Sequence, residues 1–387
     1  MPEVHFKYGG STATRTMNCP VWAKLSEGMP RGKVSIHAST GTVGHKIFEK
    51  MTDSDTFDPD TMLGEVHTVD GNKVKIDQKL ITKIEDAIEA QDDFFEEHDI
   101  QVVYCETLFE HTQLIGGSAD TVGWNKEKNI FCVGDLKTGD GHMVFAEDND
   151  QLMFYAWLAV NHYAKDFTFD GNTRILLYIV QPSDRRDEIL DVWEVNLGDV
   201  VAFGKAFELA VRVSEGGLGD PVSGEWCGYC PKAATCPAKT GLVNSSLRLD
   251  LESDDMEVLE RGMAMVEEVE AWCADIRKLA HEQLELGAEV TGWKLVNKRA
   301  TRVWNNADEA QTIFKNAKSL KIDDYMDMKL KSPPQMEKVC KTKKVDFKKY
   351  EDLFSSVSSG TTMAHADDKR EAALPITQMA DAIAQLT

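Results

Sequence analysis

Gly116-Gly-Ser-Ala-Asp120, Gly134-Asp-Leu-Lys-Thr-Gly139 and Gln151-Leu-Met-Phe-Tyr155 follow one another in a single stretch, and their reading decides the fold. Side chains alternate faces along a strand, so Asp135 and Lys137 share a face while Leu136 points into the protein. A turn at Asn125-Lys-Glu-Lys-Asn129 folds the strand carrying Asp120 back towards the same spot. Two carboxylates converging beside an ammonium make a place where a divalent cation can sit and a charged transition state can be stabilised. Gln151 and Tyr155, at i and i+4, stack on one face of the helix that follows. A lone Asp-x-Lys on a strand is usually a surface salt bridge. The ordered set of Gly-x-x-Asp, Asp-x-Lys-Thr-Gly and Gln-x-x-x-Tyr is a far rarer coincidence, and it has a catalytic layout.

Around this stretch the chain alternates helical and strand patterns. Gly41-Thr-Val-Gly-His45 opens a helix with Val43, Ile47 and Phe48 on its apolar side and His45 and Glu49 together on another. Taken alone, His45 is an ordinary surface histidine. From Lys79 to Glu97 apolar residues recur at helical spacing among acids, the pattern of an amphipathic helix packed on a sheet. Gln101 to Glu106 is a strand ending in an acid that is either solvated or at the site's edge. Arg174–Gln181 and Asp191–Val195 are further strands, and Leu197–Val213 is a helix. The order predicts an α/β fold with a mixed central sheet flanked by helices. Residues 53–75 are acidic and turn-rich and carry no legible chemistry.

With 387 residues the chain can bury one large core or two smaller ones. It has no apolar run of roughly 18 residues, no signal-peptide pattern and a mean hydropathy of −0.34, so a soluble protein of the cytoplasm, with no membrane partner, is expected. A net charge of −22 argues against a passive DNA-coating protein, because phosphate contacts need Lys and Arg. It hardly bears on an acidic catalytic site, since a local basic groove can coexist with an acidic exterior.

Of the eight cysteines, Cys227, Cys230 and Cys236 cluster in Trp226-Cys-Gly-Tyr-Cys-Pro-Lys-Ala-Ala-Thr-Cys-Pro237. In a reducing compartment such a cluster binds metal rather than forming disulfides. Zinc is the default for Cys-x-x-Cys, but no second pair follows, so the fourth ligand must come from afar. Cys19, in its own Cys19-Pro20 turn, is the candidate. Cys105 and Cys132 read as strand residues of the core, and Cys273 and Cys340 have no companions. Residues 253–287 form a packed acidic helix. From Lys294 to Tyr350 fifteen Lys or Arg stand against seven Asp or Glu, with Trp304 and Tyr325 interleaved. Lys298, Arg299 and Arg302 there could follow a DNA backbone; the competing reading is an accessory lobe docked on the acidic core. Four parts result: 1–245, the core closed by its cysteines; 246–290, helical; 291–353, basic and mainly helical; and 354–387, a Ser/Gly/Thr-rich tail.

The ordered motif set resembles the RecB-like branch of the PD-(D/E)XK nucleases, whose core is restriction-endonuclease-like. The resemblance implies that Asp120, Asp135, the Leu136 carbonyl and His45 hold Mg²⁺ or Mn²⁺. It implies that Lys137 assists the attacking water, Gln151 orients the site, Tyr155 lines the DNA path and Glu106 lies at the edge. One early and three late cysteines resemble the iron–sulfur nucleases, among them the AddB nuclease module and the CRISPR-adaptation exonucleases. That implies a 4Fe-4S cluster, or Zn²⁺ in its place, on Cys19, Cys227, Cys230 and Cys236 as a clamp on the core. Asn18-Cys-Pro20, Gly292-Trp-Lys-Leu-Val and Asp367-Asp-Lys-Arg370 extend the likeness, over nearly the whole chain, to a phage-borne RecB-like family. The 53–75 region has no match in it, and Gly117-Ser-Ala stands where the family often has Gly-Thr-Ala. The expected function is a metal-dependent DNA exonuclease in phage recombination, replication or DNA processing in the host cell. Its partners would be DNA and a single-strand annealing or replication protein. The alternatives are a catalytically inactive iron–sulfur DNA-binding subunit and a structural adaptor of a phage replication complex.

Overall fold

A five-stranded mixed sheet forms the centre of the first of two units. The computed structural model describes residues 6–29, 34–54, 56–139, 143–183, 188–246, 256–285, 287–294 and Lys341. The chain divides into two units, Met1–Val296 and Asn297–Thr387, and apart from Lys341 the described residues belong to the first.

The elements come in the following order. Two short helices, α1 (Ala13–Asn18) and α2 (Trp22–Leu25), precede the long α3 (Ile36–Asp53). Next come β1 (Val66–Val69), β2 (Asn72–Lys75), α4 (Gln78–His98), β3 (Val102–Glu110), β4 (Gly116–Asn125) and β5 (Ile130–Leu136). Then follow α5 (Asp150–His162), β6 (Arg174–Val180), β7 (Leu190–Val195), α6 (Leu197–Gly216), α7 (Pro237–Ser246) and α8 (Met256–Glu285). β3, β4 and β5 form an antiparallel meander; β6 runs parallel to β5 through the α5 crossover, and β7 returns antiparallel. The expected mixed sheet flanked by helices is thus observed.

The sheet is covered on both faces, which is why β5 and β6 read as nearly unbroken apolar runs. Phe131, Val133, Ile175 and Leu177 pack with α1, α2, α5 and α6 on one side. Cys132, Leu136, Leu176, Tyr178 and Val180 pack with α3, α4 and the β1–β2 hairpin on the other. Beneath the second face lies a polar island. The buried Gln91 side chain accepts from Thr121 Oγ1 at 3.1 Å and Tyr178 Oη at 3.0 Å, and donates to Thr52 Oγ1 at 3.4 Å.

Three elements differ from the sequence reading. α3 begins at Ile36, earlier than the Gly41 pattern implied, because Ser35 caps it by accepting the Ala38 N–H at 3.1 Å. The 53–75 region contains an ordered hairpin. Asp70 (φ 48°) and Gly71 (φ 79°) form its two-residue turn, the left-handed pair that matches strand twist. β3 also continues past Glu106 to Glu110.

Candidate active site

Register brings three acids into one row. Cys105 faces Thr121 and Thr107 faces Ala119, so Glu106 stands opposite Asp120. Thr121 faces Gly134, which sets Asp120 level with Asp135 at the end of the β4–β5 ladder. The backbone gives way at this row. Glu106 adopts φ 45°, the left-handed region that residues bearing a Cβ enter at a cost and keep where the surroundings impose it. Asp120 Oδ2 accepts the Leu136 N–H at 2.6 Å, so a side chain does what a strand carbonyl would otherwise do.

His45 arrives from α3. A Cβ on Gly44 would lie 2.9 Å from Thr138 Cγ2, so glycine lets the helix approach the end of β5 closely enough for the next residue to reach the sheet. His45 Nδ1 lies 3.1 Å from Asp120 Oδ1 and 3.6 Å from Glu106 Oε1. One ligand-type atom from each of His45, Glu106 and Asp120 lies within 4.8 Å of the other two. An imidazole and two carboxylates are a donor set that suits a divalent cation. Glu106, expected at the edge, is therefore central to the convergence.

Asp135 looks towards α5. Its Oδ2 forms an ion pair with Lys137 Nζ at 2.6 Å, and its Oδ1 accepts from Gln151 Nε2 at 3.1 Å. Gln151 Oε1 in turn accepts from Lys137 Nζ at 3.2 Å, and Nε2 also donates to Tyr155 Oη at 3.3 Å. Asn149 caps α5 by accepting the N–H groups of Gln151 and Leu152, which holds Gln151 at the helix entrance. Tyr155 was expected to line a DNA path. Its ring is 8 % exposed and lies against Gly10 and Gly117, so it supports the site from beneath. A Cβ on Gly10 would fall 2.4 Å from that ring, which is the physical need for glycine at position 10. Leu136 contributes its N–H to Asp120 and its side chain to the core.

Electrostatics set the protonation of the group. Burial pushes the His45 imidazolium down, but Asp120, with help from Glu106 and Asp135, overrides this and holds it well above the usual histidine value. Burial raises Asp120, yet His45 and the Leu136 N–H bring it below the ordinary carboxylate range. Burial together with Asp120 lifts Asp135, and Lys137 only partly offsets it. Burial works against charge on Lys137, but Asp135 prevails and keeps the ammonium charged.

The cysteine set forms a second locus. Cys19 (at the end of α1), Cys227 and Cys236 are buried, and Cys230 is partly so. Arg15 connects the early cysteine with the late ones. It lies one turn before Cys19 and its Nε donates to the Trp226 carbonyl at 3.3 Å; burial lowers its pKa, and Cys230, Cys227 and Cys19 partly offset this. Four thiols are the donor type that a thiolate-bound metal or cluster takes, although no three of these sulfur atoms lie within 4.8 Å of one another. Neither Arg15 nor Gln91 stands out in the sequence; the visible sign for Arg15 is its i, i+4 spacing to Cys19. Cys105 and Cys132 have thiols pushed up to about 12 by burial, which suits core residues. Lys298, Arg299, Arg302 and Cys340 lie outside the described residues.

Fold and site together define a mixed α/β protein with a His–carboxylate group next to an Asp–Lys pair. Residues 5–371 match the family described as "Protein of unknown function (DUF2800)", and the chain belongs to that family. Among solved structures it is similar to a putative exonuclease from Eubacterium rectale, with 14 % identity, 58 % of this chain and 87 % of that chain covered, and a TM-score of 0.31. It is also similar to an alkaline exonuclease from Laribacter hongkongensis, with 10 % identity, 53 % and 92 % coverage and a TM-score of 0.23. A third structure, SSO0001, shows 14 % identity, 62 % and 89 % coverage and a TM-score of 0.26. Overlaps this loose carry neither fold nor activity from those proteins to this one. No described helix is long and apolar enough to cross a membrane.

Proposed function

We propose that this chain is a divalent-metal-dependent nuclease that hydrolyses phosphodiester bonds in DNA. The observation that carries the reading is the convergence of His45, Glu106 and Asp120 beside the Asp135–Lys137 pair. The extension to a restriction-endonuclease-like core, to exonucleolytic action and to phage DNA processing rests on the sequence resemblance alone.

In this reading His45, Glu106 and Asp120 hold Mg²⁺ or Mn²⁺, with Asp135 and the Leu136 carbonyl completing the set. When bound, such an ion neutralises charge on the scissile phosphate and acidifies an attacking water. The protein's own contribution is positioning and fixed charge. Asp135 keeps Lys137 cationic, so Lys137 orients the water and faces the developing negative charge rather than removing a proton. Gln151 holds the Asp135 carboxylate and the Lys137 ammonium in mutual register, and Tyr155 steadies Gln151 from beneath. The Cys19, Cys227, Cys230 and Cys236 set would hold a 4Fe-4S cluster, or Zn²⁺, tying α1 to the segment after α6.

The test is degradation of end-labelled linear DNA with Mg²⁺ or Mn²⁺, with EDTA as control. Asp135→Ala and Lys137→Ala are expected to lower the rate by roughly 10²-fold or more while leaving the folded spectrum intact. Equal activity in wild type and both variants would refute the assignment.

A further inference from the structure

Arg15 is only 7 % exposed, and among the described residues no carboxylate pairs with it. Its guanidinium lies over the Trp22 ring at 5.0 Å and donates from Nε to the carbonyl of Trp226 at 3.3 Å. Neither partner carries a negative charge. A buried cation without a counter-ion costs several kcal/mol, so a folded chain that keeps one has an anion nearby. Burial works against the charge on Arg15, and Cys230, Cys227 and Cys19 work in its favour. Cys19 is one helical turn on, with its N–H bonded to the Arg15 carbonyl at 2.9 Å, and Cys227 directly follows the residue that Arg15 grips. The nearby Lys239, 2 % exposed, makes a contrast: Asp275 at 3.3 Å and Glu268 at 3.9 Å balance it. One buried cation is thus balanced by acids, whereas Arg15 has no such carboxylate among the described residues.

We infer that Arg15 is the counter-cation of an anionic metal–thiolate centre formed by Cys19, Cys227, Cys230 and Cys236. This rests on the reading that those four cysteines bind metal, and it assigns a positioning and charge-balancing residue that is not itself a ligand. Four thiolates on Zn²⁺, or on an oxidised 4Fe-4S core, carry a net charge of about −2. Arg15 offsets part of it and, through the Trp226 carbonyl, fixes the loop that delivers Cys227. Thr14, its neighbour on α1, lies near Asp150 beside Gln151, so α1 links the cysteine locus to the entrance of α5.

The test uses the full chain purified anaerobically as wild type, R15Q and R15K. Metal and acid-labile sulfide are counted, and loss of metal to a chelator is followed by a metal-sensitive dye and, for an iron cluster, by absorbance near 400 nm. Wild type is expected to hold one centre per chain. R15Q is expected to lose it about tenfold faster, the scale of a lost neighbour outside the ligand set, and R15K is expected to fall between, because it keeps the charge. Wild type without thiolate-bound metal would overturn the underlying reading. A metal-bearing wild type with R15Q equally retentive would overturn the role of Arg15 alone. If R15Q does not fold, R15K decides: release by a folded R15K less than tenfold faster than wild type supports the charge role, and release tenfold faster or more overturns it.

Discussion

At the scale of single residues, the candidate site is a proton-binding site as much as a metal-binding one. His45 is held cationic well above its usual value by Asp120, and a metal ion needs the same nitrogen neutral. The sign follows directly: each ion that binds displaces a proton, so apparent affinity rises with pH, continues to rise past the ordinary histidine value of about 6.5, and levels only once His45 has lost its proton. Titration of Mn²⁺ by calorimetry in buffers of different ionisation enthalpy is expected to show proton release at pH 7 and tighter binding at pH 8.5. His45→Ala should abolish the proton release along with most of the affinity. Binding indifferent to pH over that range would mean that His45 is not a ligand.

At the scale of elements, α3 is where sequence and structure part most informatively. The Gly-Thr-x-x-His pattern pointed to a helix carrying His45, and such a helix is present. Where it starts was not legible, because Ser35 follows a Gly/Lys/Val stretch without apolar period. The two glycines within α3 now have distinct consequences. A Cβ on Gly41 would sit at an ordinary 3.4 Å from Thr138 Oγ1, whereas one on Gly44 would meet Thr138 Cγ2 at 2.9 Å and Ile84 Cδ1 at 3.4 Å. Alanine gains about 1 kcal/mol of helix propensity at either place, while overpacking costs about 1–3 kcal/mol. Gly41→Ala should therefore raise the urea midpoint, and Gly44→Ala should leave it level or lower it and also weaken Mn²⁺ binding by drawing His45 away from Asp120. The reverse order would show that α3 does not depend on that close approach. The hairpin at 66–75 went unread because its strands are only four residues each, although Asp70-Gly71 is a turn signal. Gln91 was hidden for the opposite reason: it lies on an acidic amphipathic helix, and only the tertiary fold turns it towards Thr121 and Tyr178.

At the scale of the molecule, the acidic balance and the proposed polyanionic substrate stand in tension. A charge of −22 repels DNA, so any affinity depends on a local cationic surface. The excess of Lys and Arg between 294 and 350 is the segment the sequence offers. Under the proposed reading, replacing Lys298, Arg299 and Arg302 with alanine weakens binding at all sequences alike. It also makes the plot of log affinity against log salt shallower by about 0.9 for each phosphate no longer neutralised. An unchanged slope would remove that segment from the interface. The convergence of the candidate row was legible because its polar residues, Asp120, Asp135, Lys137, Gln151 and Tyr155, lie close together in the sequence. The part played by Glu106 was not, since strand register, rather than spacing along the chain, brings it opposite Asp120. The twisted backbone at Glu106 reaches beyond catalysis. A left-handed residue with a Cβ costs about 1–2 kcal/mol, so Glu106→Gly should yield a sturdier protein, with a higher midpoint of chemical unfolding, that binds Mn²⁺ poorly. Thermodynamics alone would thus erode this acid towards glycine, and wherever a descendant of this chain keeps a carboxylate there, natural selection is guarding what it does.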